Sequence, residues 1–449
     1  MLQTIINAWK IADLRKKILF TAFILLIFRL GSAIPVPFVN ILGGGLIKDQ
    51  NAGTFLNYLA MMTGDAFNYG TVFAMSITPY INASIIMQLL TVAIPYLERL
   101  QKEGEEGRKK IASITRFVTV GLGLMQSTAY YFYVKSAEYI ATNPATGEPY
   151  TGVPMVFQAV VIILCYTAGT ALIMWLGERI NENGIGNGIS MILFAGIVSR
   201  VPTLITQFYD DIRKGGPYYV LTPIAILSLL LTIAYIVWMD NAERRIPVQY
   251  AKRVVGRKMY GGQSTHIPIK VNMSGVMPVI FASSILSLPP TVQMFVSNKI
   301  AEGSFWDKFF SIFKSDHWVY AIIYFLMIIG FAYFYASIQY NPIEMSNNIR
   351  KNSGTVPGIR PGEPTAKYIG KIINRIVLLG ALMLSVVALF PILYSLVTTL
   401  VLKKFFNYPH GMSISLGGTS IIIMVGVALE TVKQLESQMM MRHYKGFLD

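Results

Sequence analysis

The feature that most constrains this chain is the distribution of its apolar residues, which form long runs separated by short polar stretches. A helix needs about 20 mostly apolar residues to cross the roughly 30 Å hydrocarbon layer of a membrane. Ten runs meet or approach that length: residues 18–33, 72–97, 117–134, 153–176, 188–205, 218–239, 273–294, 318–338, 376–401 and 412–432. Lipid offers the backbone no hydrogen-bond partner, so each crossing must be helical or shielded by protein. We therefore expect an all-α polytopic membrane protein with ten transmembrane helices.

The amino-acid composition also indicates a membrane protein rather than a soluble one. Of the 449 residues, 53% are apolar and 14% are charged, whereas a soluble domain usually has about 25% charged residues. The single cysteine, Cys165, excludes an intrachain disulfide framework or a cysteine-based metal cluster. The four histidines all fall in polar stretches: His266, His317, His410 and His443. We therefore expect no metal and no cofactor, and little material for catalysis.

Lysine and arginine are distributed unevenly between the loops on the two sides of the membrane. Twenty-seven of the 38 lie on one side and nine on the other, while Arg29 and Arg200 lie inside apolar runs. Because positively charged loops face the cytoplasm, this distribution places both termini there. An even number of crossings agrees with that orientation.

The first apolar run has a second interpretation. Lys16 and Lys17 precede it, and Gly31, Ser32 and Ala33 end it, an arrangement that also resembles a cleavable signal peptide. We expect a retained first transmembrane helix instead, which keeps the number of crossings at ten.

Charged side chains are rare inside the apolar runs, which limits the chemistry available within the membrane. Only Arg29, Arg200 and Glu430 lie there, each in the last third of its run and close enough to extend to the interface. An ion-coupled transporter or an intramembrane protease needs acidic pairs, histidines or an H-E-x-x-H helix. A secondary transporter of small solutes and a membrane-embedded enzyme are the alternatives, but a passive conduit or scaffold fits the runs better.

Two pairs of short strings repeat between the halves of the chain. Residues 79–84 (PYINAS) resemble residues 278–283 (PVIFAS), and residues 188–193 (GISMIL) more weakly resemble residues 418–423 (GTSIII). The members of each pair lie five runs apart and so cross the membrane in opposite directions, as in transporter folds built from inverted repeats. Chance is the alternative, because Gly, Ser and Ile are common in membrane helices. We expect two inverted, pseudo-symmetric halves of five helices, residues 1–210 and 211–449.

Small polar side chains accompany these repeats. Pro79 and Pro278 each remove a backbone donor, which places them near helix starts. The polar residues nearby are Asn82, Ser84, Gln88, Gln126, Ser283 and Ser284. Ordinary hydrogen bonding between helices accounts for such residues; the alternative is a seam that opens to water and is closed by neighbouring branched apolar residues.

The segment before the second run is too short to cross a membrane. Residues 54–63 (TFLNYLAMMT) have about half the length of a span and lead into Gly64 and Asp65. We predict either an interfacial helix or a re-entrant segment folded into a cavity.

Two polar loops, about residues 240–271 and 339–375, are too long to be simple connectors. The first alternates β-prone and basic residues around Gly261-Gly262, which predicts a protruding hairpin. In the second, prolines and glycines within residues 356–362 (VPGIRPG) hold Arg360 at a rigid loop tip. Basic loops commonly contact anionic lipid, but loops that extend away from the membrane fit an acidic or RNA-containing partner better.

Four groups of strings carry a specific resemblance to a known family: residues 79–86 (PYINASII); 177–180 (GERI) with 184–190 (GIGNGIS); 263–272 (QSTHIPIKVN); and 357–363 (PGIRPGE) with 365–368 (TAKY). In this order, and across nearly all ten runs, the chain resembles the SecY family, the central subunits of the bacterial protein-conducting channel. The resemblance implies an hourglass pore between two five-helix halves, hinged at one side and opening laterally at the other. The implied function is passage of unfolded secretory polypeptides across the cytoplasmic membrane, with lateral release of transmembrane segments into lipid.

The resemblance also implies roles for particular residues. An aliphatic ring would form the constriction: Ile77, Ile81, Leu193, Ile197, Ile280 and Ile423. The lateral gate would contain Asn82, Gln88, Gln126, Ser283 and Ser284. A plug over about residues 54–70 would include Phe55, Leu56, Tyr58, Leu59, Met62 and Asp65. A docking surface would include Arg244, Arg245, Lys252, Arg253, Arg257, Lys258 and Arg360.

The resemblance further implies partners and an external energy source. The partners are the SecE and SecG membrane subunits, the SecA motor ATPase, ribosomes, signal peptides, polypeptides in transit and anionic lipids. The chain has no P-loop of the form G-x-x-x-x-G-K-[ST], so we expect a channel that is not itself an enzyme. It departs from the family at Asp65 and Ser76, where small residues are common, at Thr78, which replaces a more usual apolar residue, and at Leu193, which replaces a β-branched one.

Overall fold

The chain is mostly helical in the parts that its structure, a computed structural model, describes. These are residues 2–41, 63–137, 139–141, 150, 152–250, 253–255, 258–260, 264–286, 289, 304–313, 318–402 and 417–445. The chain divides into two compact units by packing. The first unit comprises Met1–Tyr219, Ser287–His317 and Ser413–Asp449, and the second comprises Val220–Leu286 and Trp318–Met412.

The helices of the first unit lie along the N-terminal half of the sequence, with two later additions. They are α1 (Leu2–Lys10), α2 (Ala12–Gly31), α3 (Thr78–Ala93), α4 (Pro95–Lys102), α5 (Glu105–Ser136), α6 (Val153–Asn183), α7 (Gly188–Val198), α8 (Val201–Lys214), α11 (Phe305–Ile312) and α15 (Gly418–Lys445). Helix α5 packs against both α3 and α6, and α7 packs against α6 and α15. The last helix thus groups with the first unit by packing, whereas the two inverted halves inferred from the repeats stay a prediction.

The second unit combines long helices with short strands. It contains α9 (Tyr218–Asn241), α10 (Met277–Leu286), α12 (Trp318–Gln339), α13 (Pro342–Lys351), α14 (Glu363–Val401), β1 (Glu243–Tyr250), β2 (Arg253–Val255), β3 (Lys258–Tyr260), β4 (Ser264–Lys270) and β5 (Gly354–Thr355). Helix α12 packs against α10 and α14, and α13 packs against α14.

The helices account for the predicted membrane architecture. Each of the ten apolar runs contains at least part of a described helix. By length and composition, six helical segments of the described chain are able to cross a membrane, and a seventh is added if α3 and α4 count as one broken span. The prediction of an all-α polytopic membrane protein is therefore confirmed, and a total of ten spans is consistent with these helices.

The repeated strings occupy equivalent places at helix starts. Pro79 and Pro278 are each the second residue of their helices, where a missing N–H costs no intrahelical bond. Gly188 and Gly418 are each the first residue of theirs. The side chain of Asn187 caps α7 by accepting hydrogen bonds from the backbone amides of Ile189 and Ser190, at 3.1 and 3.4 Å. The predicted helix starts at both prolines are confirmed.

Two of the ten runs are interrupted. The run 72–97 is helical only from Thr78 onward, and α4 turns away from α3 by 100° at Ile94. The run 188–205 breaks at Ser199 and Arg200, between α7 and α8. A single unbroken helix over the run 72–97 is therefore wrong, and Pro95, which opens α4, supplies a physical reason. Helices α7 and α8 together still form one segment, Gly188–Lys214, that is long and apolar enough to cross a membrane.

An aromatic core stabilises the first unit beside residues 63–70. Tyr130 and Tyr166 are fully buried. Their rings lie 5.0 Å apart, and that of Tyr130 lies 4.6 Å from Phe67. The Tyr130 hydroxyl donates to the Phe67 carbonyl, and the Tyr166 hydroxyl donates to the Gly70 carbonyl at 3.1 Å. These bonds satisfy buried polar groups and fix the turn that precedes α3.

The two long loops of the second unit form one sheet, here called the loop sheet, with strand order β4-β1-β5. Strand β1 pairs antiparallel with β4, from Glu243 opposite Lys270 to Gln249 opposite Ser264, and β5 pairs with the end of β1. Ile246 and Val248 alternate with exposed residues and point into a core beneath the sheet. The predicted hairpin is confirmed.

The predicted Gly-Gly turn of this hairpin lies outside the described residues. Strands β2 and β3 pair with Val255 opposite Lys258, so only two residues, 256 and 257, join them. The Gly261-Gly262 pair follows β3 and precedes β4 in the sequence. The turn at Gly261-Gly262 stays a prediction.

Candidate functional site

The first two predicted ring residues lie at the start of α3. Ile77 is the residue just before the helix and is 1% exposed, while Ile81 lies one turn into it and is half-buried. The Ile81 amide donates to the Ile77 carbonyl at 3.0 Å, so the two residues belong to one helical turn. Because they are four residues apart at the start of α3, the two side chains lie along one face.

Three further ring residues lie on α7 and α15. Leu193 and Ile197 are four residues apart on α7 and are 4% and 1% exposed, and Ile423 on α15 is 2% exposed. Helices α7 and α15 pack together, and Thr431 of α15 donates a hydrogen bond to the sulfur of Met191 at 3.5 Å. Leu193, Ile197 and Ile423 are therefore buried aliphatic side chains on two helices that pack together.

Ile280, the sixth ring residue, lies in the second unit. It is 7% exposed and sits on α10 between Val279 and Phe281, both buried. The ring of Phe281 packs edge-on against those of Phe331 and Tyr335 on α12, at 5.7 and 5.9 Å. This packing fixes the orientation of α10 within its unit. Assembly of the six aliphatic residues into one ring stays a prediction.

The predicted gate residues, like the ring residues, are divided between the two units. Asn82, Gln88 and Gln126 are half-buried on α3 and α5, which pack together in the first unit. Gln88 donates to the Ser84 hydroxyl over 3.5 Å. Ser283 lies on α10 of the second unit, where its hydroxyl donates to the Ile280 carbonyl at 2.9 Å, and Ser284 follows it. Their role as a gate stays a prediction.

Residues 63–70, here called the charged turn, form a site that the sequence alone did not reveal. Arg200 lies 3.2 Å from Asp65, and Arg29 donates to the carbonyl of Gly64 at 3.3 Å. The expectation that Arg29 and Arg200 simply extend to the interface is therefore incomplete, because both converge on this turn. The sequence did contain a signal for this site. Arg29 and Arg200 are among the few charged residues inside the apolar runs, and Asp65 is a nearby acidic residue that could pair with them.

The family model for SecY matches residues 71–432 of this chain. The chain belongs to the SecY family. It is 42% identical to the protein translocase subunit SecY of Streptomyces galbus and 41% identical to that of Mycobacterium tuberculosis, with all of each chain covered.

Solved structures show the same fold at low sequence identity. One, described as a protein-conducting channel, has a TM-score of 0.60 and 16% identity, with 94% of this chain and 92% of the other covered. Canine Sec61, in a ribosome–channel complex, has a TM-score of 0.57 and 15% identity over the same shares. A third structure, with a TM-score of 0.61, is of a SecY protein whose plug domain is described as stabilising the closed state.

Three residues of the predicted SecY-type docking surface are exposed. Arg244 and Arg245 project from β1, and Arg360 is exposed on the loop that follows β5. Positive φ angles at Gly358 and Gly362, +79° and +103°, shape this loop. Arg253 and Lys258 lie on β2 and β3, whereas Lys252 and Arg257 lie outside the described residues.

Hydrogen bonds anchor the Arg360 loop to the helices on either side. Thr365 of α14 donates to the Arg360 carbonyl at 2.8 Å, and Ser346 of α13 donates to the Gly362 carbonyl at 2.7 Å. A hydrogen bond from Lys367, together with its positive charge, lowers the pKa of Glu363 at the start of α14. The backbone is thus rigidly held while the Arg360 side chain remains in solvent.

Most of the residues named for the predicted SecY-type plug lie outside the described part of the chain. Phe55, Leu56, Tyr58, Leu59 and Met62 lie outside the described residues, and only Asp65 falls within them. Among the departures from the family, Ser76 has a left-handed φ of +47° and is buried, and Thr78 begins α3. Their hydroxyls are buried without a hydrogen-bond partner among the described residues.

Proposed function

We propose that this chain is the membrane-embedded channel subunit through which unfolded polypeptides cross the cytoplasmic membrane of a bacterium, with release of transmembrane segments sideways into lipid. The observation that carries the proposal is full-length similarity to protein translocase subunits, at 42% identity to the Streptomyces galbus subunit. The burial of five of the six aliphatic residues at the ring positions, all except the half-buried Ile81, agrees with it.

The proposed constriction works through the absence of specific recognition. Aliphatic side chains offer a passing polypeptide no hydrogen bonds, so chains of any sequence meet the same surface. When no chain is present, an apolar constriction excludes water and with it small ions. Ile77, Ile81, Leu193, Ile197, Ile280 and Ile423 would supply that constriction.

Lateral release follows from the energetics of insertion. A Leu-rich segment gains roughly 0.3–0.6 kcal/mol per residue in the bilayer centre, whereas a charged residue costs about 2.5–3.5 kcal/mol. An apolar segment that can sample lipid from the channel therefore leaves, and a polar one continues. We assign the exit to the helices that carry Asn82, Gln88, Gln126, Ser283 and Ser284, in two inverted halves of the chain.

Movement through such a channel requires an external source of energy, which we propose is SecA or a translating ribosome. The exposed arginines of the loop sheet and the Arg360 loop would dock them, because basic side chains on a rigid backbone suit acidic protein or RNA surfaces. This places the loop sheet and both termini in the cytoplasm, in agreement with the distribution of Lys and Arg. SecE and SecG would be its partners in the membrane.

A site-directed crosslink tests the proposed path. In a Cys165→Ala background, Ile280→Cys should crosslink to a cysteine in a secretory chain stalled halfway through export. The matched control is Leu227→Cys on α9, a position of the same unit that is 59% exposed and should react with lipid-soluble reagents instead. Crosslinking at position 227 but not at 280, with export intact, would contradict the proposed path. In a separate assay, uptake of small solutes by vesicles containing the purified protein would support a transporter instead.

A further inference from the structure

Helix α11 (Phe305–Ile312) concentrates aromatic residues on one side. Four of its eight residues are Phe or Trp, whereas aromatic residues make up 12% of the whole chain. Successive residues of a helix are about 100° apart around its axis, so these four fall within one arc of roughly 140°, here called the aromatic face. Its members are Phe305, Trp306, Phe309 and Phe310. The three polar residues of the helix fall outside this arc: Asp307, Lys308 and Ser311.

Most of the aromatic face is exposed. Phe305, Trp306 and Phe309 are 74%, 58% and 36% exposed, whereas Phe310, at one edge of the face, is 5% exposed. The ring of Phe309 packs edge-on against those of Trp306 and Phe310, at 6.0 and 5.5 Å. The buried Phe310 thus holds the helix against the protein, while the other three rings form a supported apolar patch. Such a patch marks a surface that contacts something other than water.

The place of α11 in the chain indicates that the membrane covers this face. The helix lies between the apolar runs 273–294 and 318–338, which cross the membrane in succession. Only five residues, 313–317, separate it in sequence from Trp318, the first residue of α12, which is 64% exposed. Trp is enriched at membrane–water boundaries. Helix α11 is therefore close along the chain to such a boundary, on the side that the Lys and Arg distribution assigns to the outside.

The charges around α11 favour an apolar contact over an electrostatic one. Residues 299–316 contain three basic and three acidic residues and so carry no net charge: Lys299, Glu302, Asp307, Lys308, Lys314 and Asp316. A surface that binds anionic lipid or nucleic acid carries an excess of positive charge. An amphipathic helix with Trp and Phe on one face and charged residues on the other is typical of helices that lie in the plane of a lipid interface.

We propose that α11 is an interfacial helix that lies along the outer leaflet, with its aromatic face among the upper acyl chains and its polar face toward the headgroups and water. This contact would secure the connection between α10 and α12 to the membrane surface. The inference goes beyond the proposed function. It requires that the flanking runs cross the membrane in the proposed orientation, whatever passes through the channel.

Two labelled positions on opposite faces of α11 test this contact. Trp306 and Lys308 are both exposed, and two residues along a helix they project roughly 160° apart. In a Cys165→Ala background, Trp306→Cys and Lys308→Cys are each labelled with an NBD fluorophore, and the complete channel with its membrane partners is reconstituted in vesicles. Lipids with a nitroxide in the upper acyl chain should quench the dye at position 306 severalfold more than the dye at 308, and aqueous iodide should do the reverse.

The lipid composition tests the apolar basis of the contact. Because the segment carries no net charge, adding phosphatidylglycerol to phosphatidylcholine vesicles should leave lipid quenching at position 306 unchanged. Lipid quenching that rises steeply with phosphatidylglycerol would overturn that basis.

A second measurement leaves the aromatic face intact. The difference in tryptophan emission between the wild-type channel and Trp306→Phe isolates the emission of Trp306, and brominated lipids should quench it. Phe preserves an aromatic ring at this position, so Trp306→Phe should keep the wild-type melting temperature and wild-type export. This readout decides the question if Trp306→Cys disturbs the helix.

The remaining outcomes separate lipid from water and from protein. Equal quenching of both dyes by iodide would place the aromatic face in water and overturn the proposal. Protection of position 306 from both quenchers would show that a protein, either a membrane partner or a second copy of this chain, covers the face, which also overturns it. An impermeant thiol reagent that reaches Lys308→Cys only from the side of the loop sheet would overturn the outer-leaflet assignment. Lipid quenching at 306 in a wild-type channel that exports no polypeptide with an added motor would support the interfacial helix and overturn the proposed function alone.

Discussion

Arg200 and Arg360 carry the same charge in opposite settings. Arg200 is mostly buried beside α7 and pairs with Asp65 at 3.2 Å. Arg360 is exposed on a loop whose backbone, rather than its guanidinium group, is anchored, through a hydrogen bond from Thr365 to its carbonyl. One arginine is part of the internal structure of the first unit, and the other is presented to solvent by the second.

The comparison shows how burial decides what a charge does. A buried charge that loses its partner is costly, so it constrains the positions of the segments that carry the pair. An exposed charge contributes little to folding, because water solvates it well. Mutations in the first setting should therefore change the channel itself, and mutations in the second should change only its encounters with other molecules.

The largest effect should come from displacing α7, on which the first setting depends. A Cβ atom at Gly188 would lie 1.9 Å from the Gly177 carbonyl oxygen, a backbone atom that cannot move freely. We expect Gly188→Ala to destabilise the protein by about 1–3 kcal/mol, as overpacking usually does, and to lower its melting temperature in detergent. Gly121→Ala is the matched control: Gly121 lies in α5 with nothing within 4 Å of the added Cβ. Equal melting temperatures for the two variants would refute the close contact.

Charge reversal at the exposed Arg360 should impair docking of partners without affecting the stability of the channel. We expect Arg360→Glu to reduce motor-driven export by about tenfold, equivalent to roughly 1.4 kcal/mol of docking free energy, while the melting temperature stays unchanged. Lys135→Glu, a reversal at the end of α5 on the predicted opposite side of the membrane, is the control and should export normally. Normal export by Arg360→Glu at native expression would remove Arg360 from the docking surface.

Polar substitution at the predicted ring positions tests whether the buried apolar residues seal the channel. Ile81→Asn places an amide among aliphatic residues, so water should enter more readily and chloride leakage should rise severalfold, with weaker signal sequences accepted. Ile280→Asn should do the same from the second unit. Ile81→Leu, which preserves apolar character and volume, is the control for each reconstitution. Unchanged leakage and unchanged signal requirement in both Asn variants would count against the ring.

Much of this fold was predictable because lipid imposes simple rules on sequence. Ten apolar runs each contain helix, and Pro79 and Pro278 lie at the predicted helix starts. The hairpin followed from the alternation of Ile246 and Val248 with polar residues. These features depend on local sequence, in which periodicity and proline act directly.

The features that sequence missed depend on contacts between distant residues. No local pattern pairs Asp65 with Arg200, 135 positions later, or joins β5 to the end of β1. The register of β2 against β3, with Val255 opposite Lys258, likewise depends on strand pairing that no local pattern specifies. The bend after α3 was hidden because Ile94 and Pro95 lie inside a continuous apolar run.

The smallest effect should come from an exposed ion pair whose geometry is at least as good as that of the buried one. Arg245 Nη2 lies 2.7 Å from Glu243 Oε1 on β1, closer than Arg200 lies to Asp65, yet these side chains are 67% and 34% exposed. Distance alone would rank this pair as the stronger. Burial reverses the order, since exposed pairs usually contribute less than ~1 kcal/mol. We expect Glu243→Gln to leave the melting temperature at its wild-type value, whereas Asp65→Asn, which removes the carboxylate of the buried pair, should lower it. If Glu243→Gln lowered the melting temperature as much as Asp65→Asn, burial would not be what distinguishes the two arginine settings.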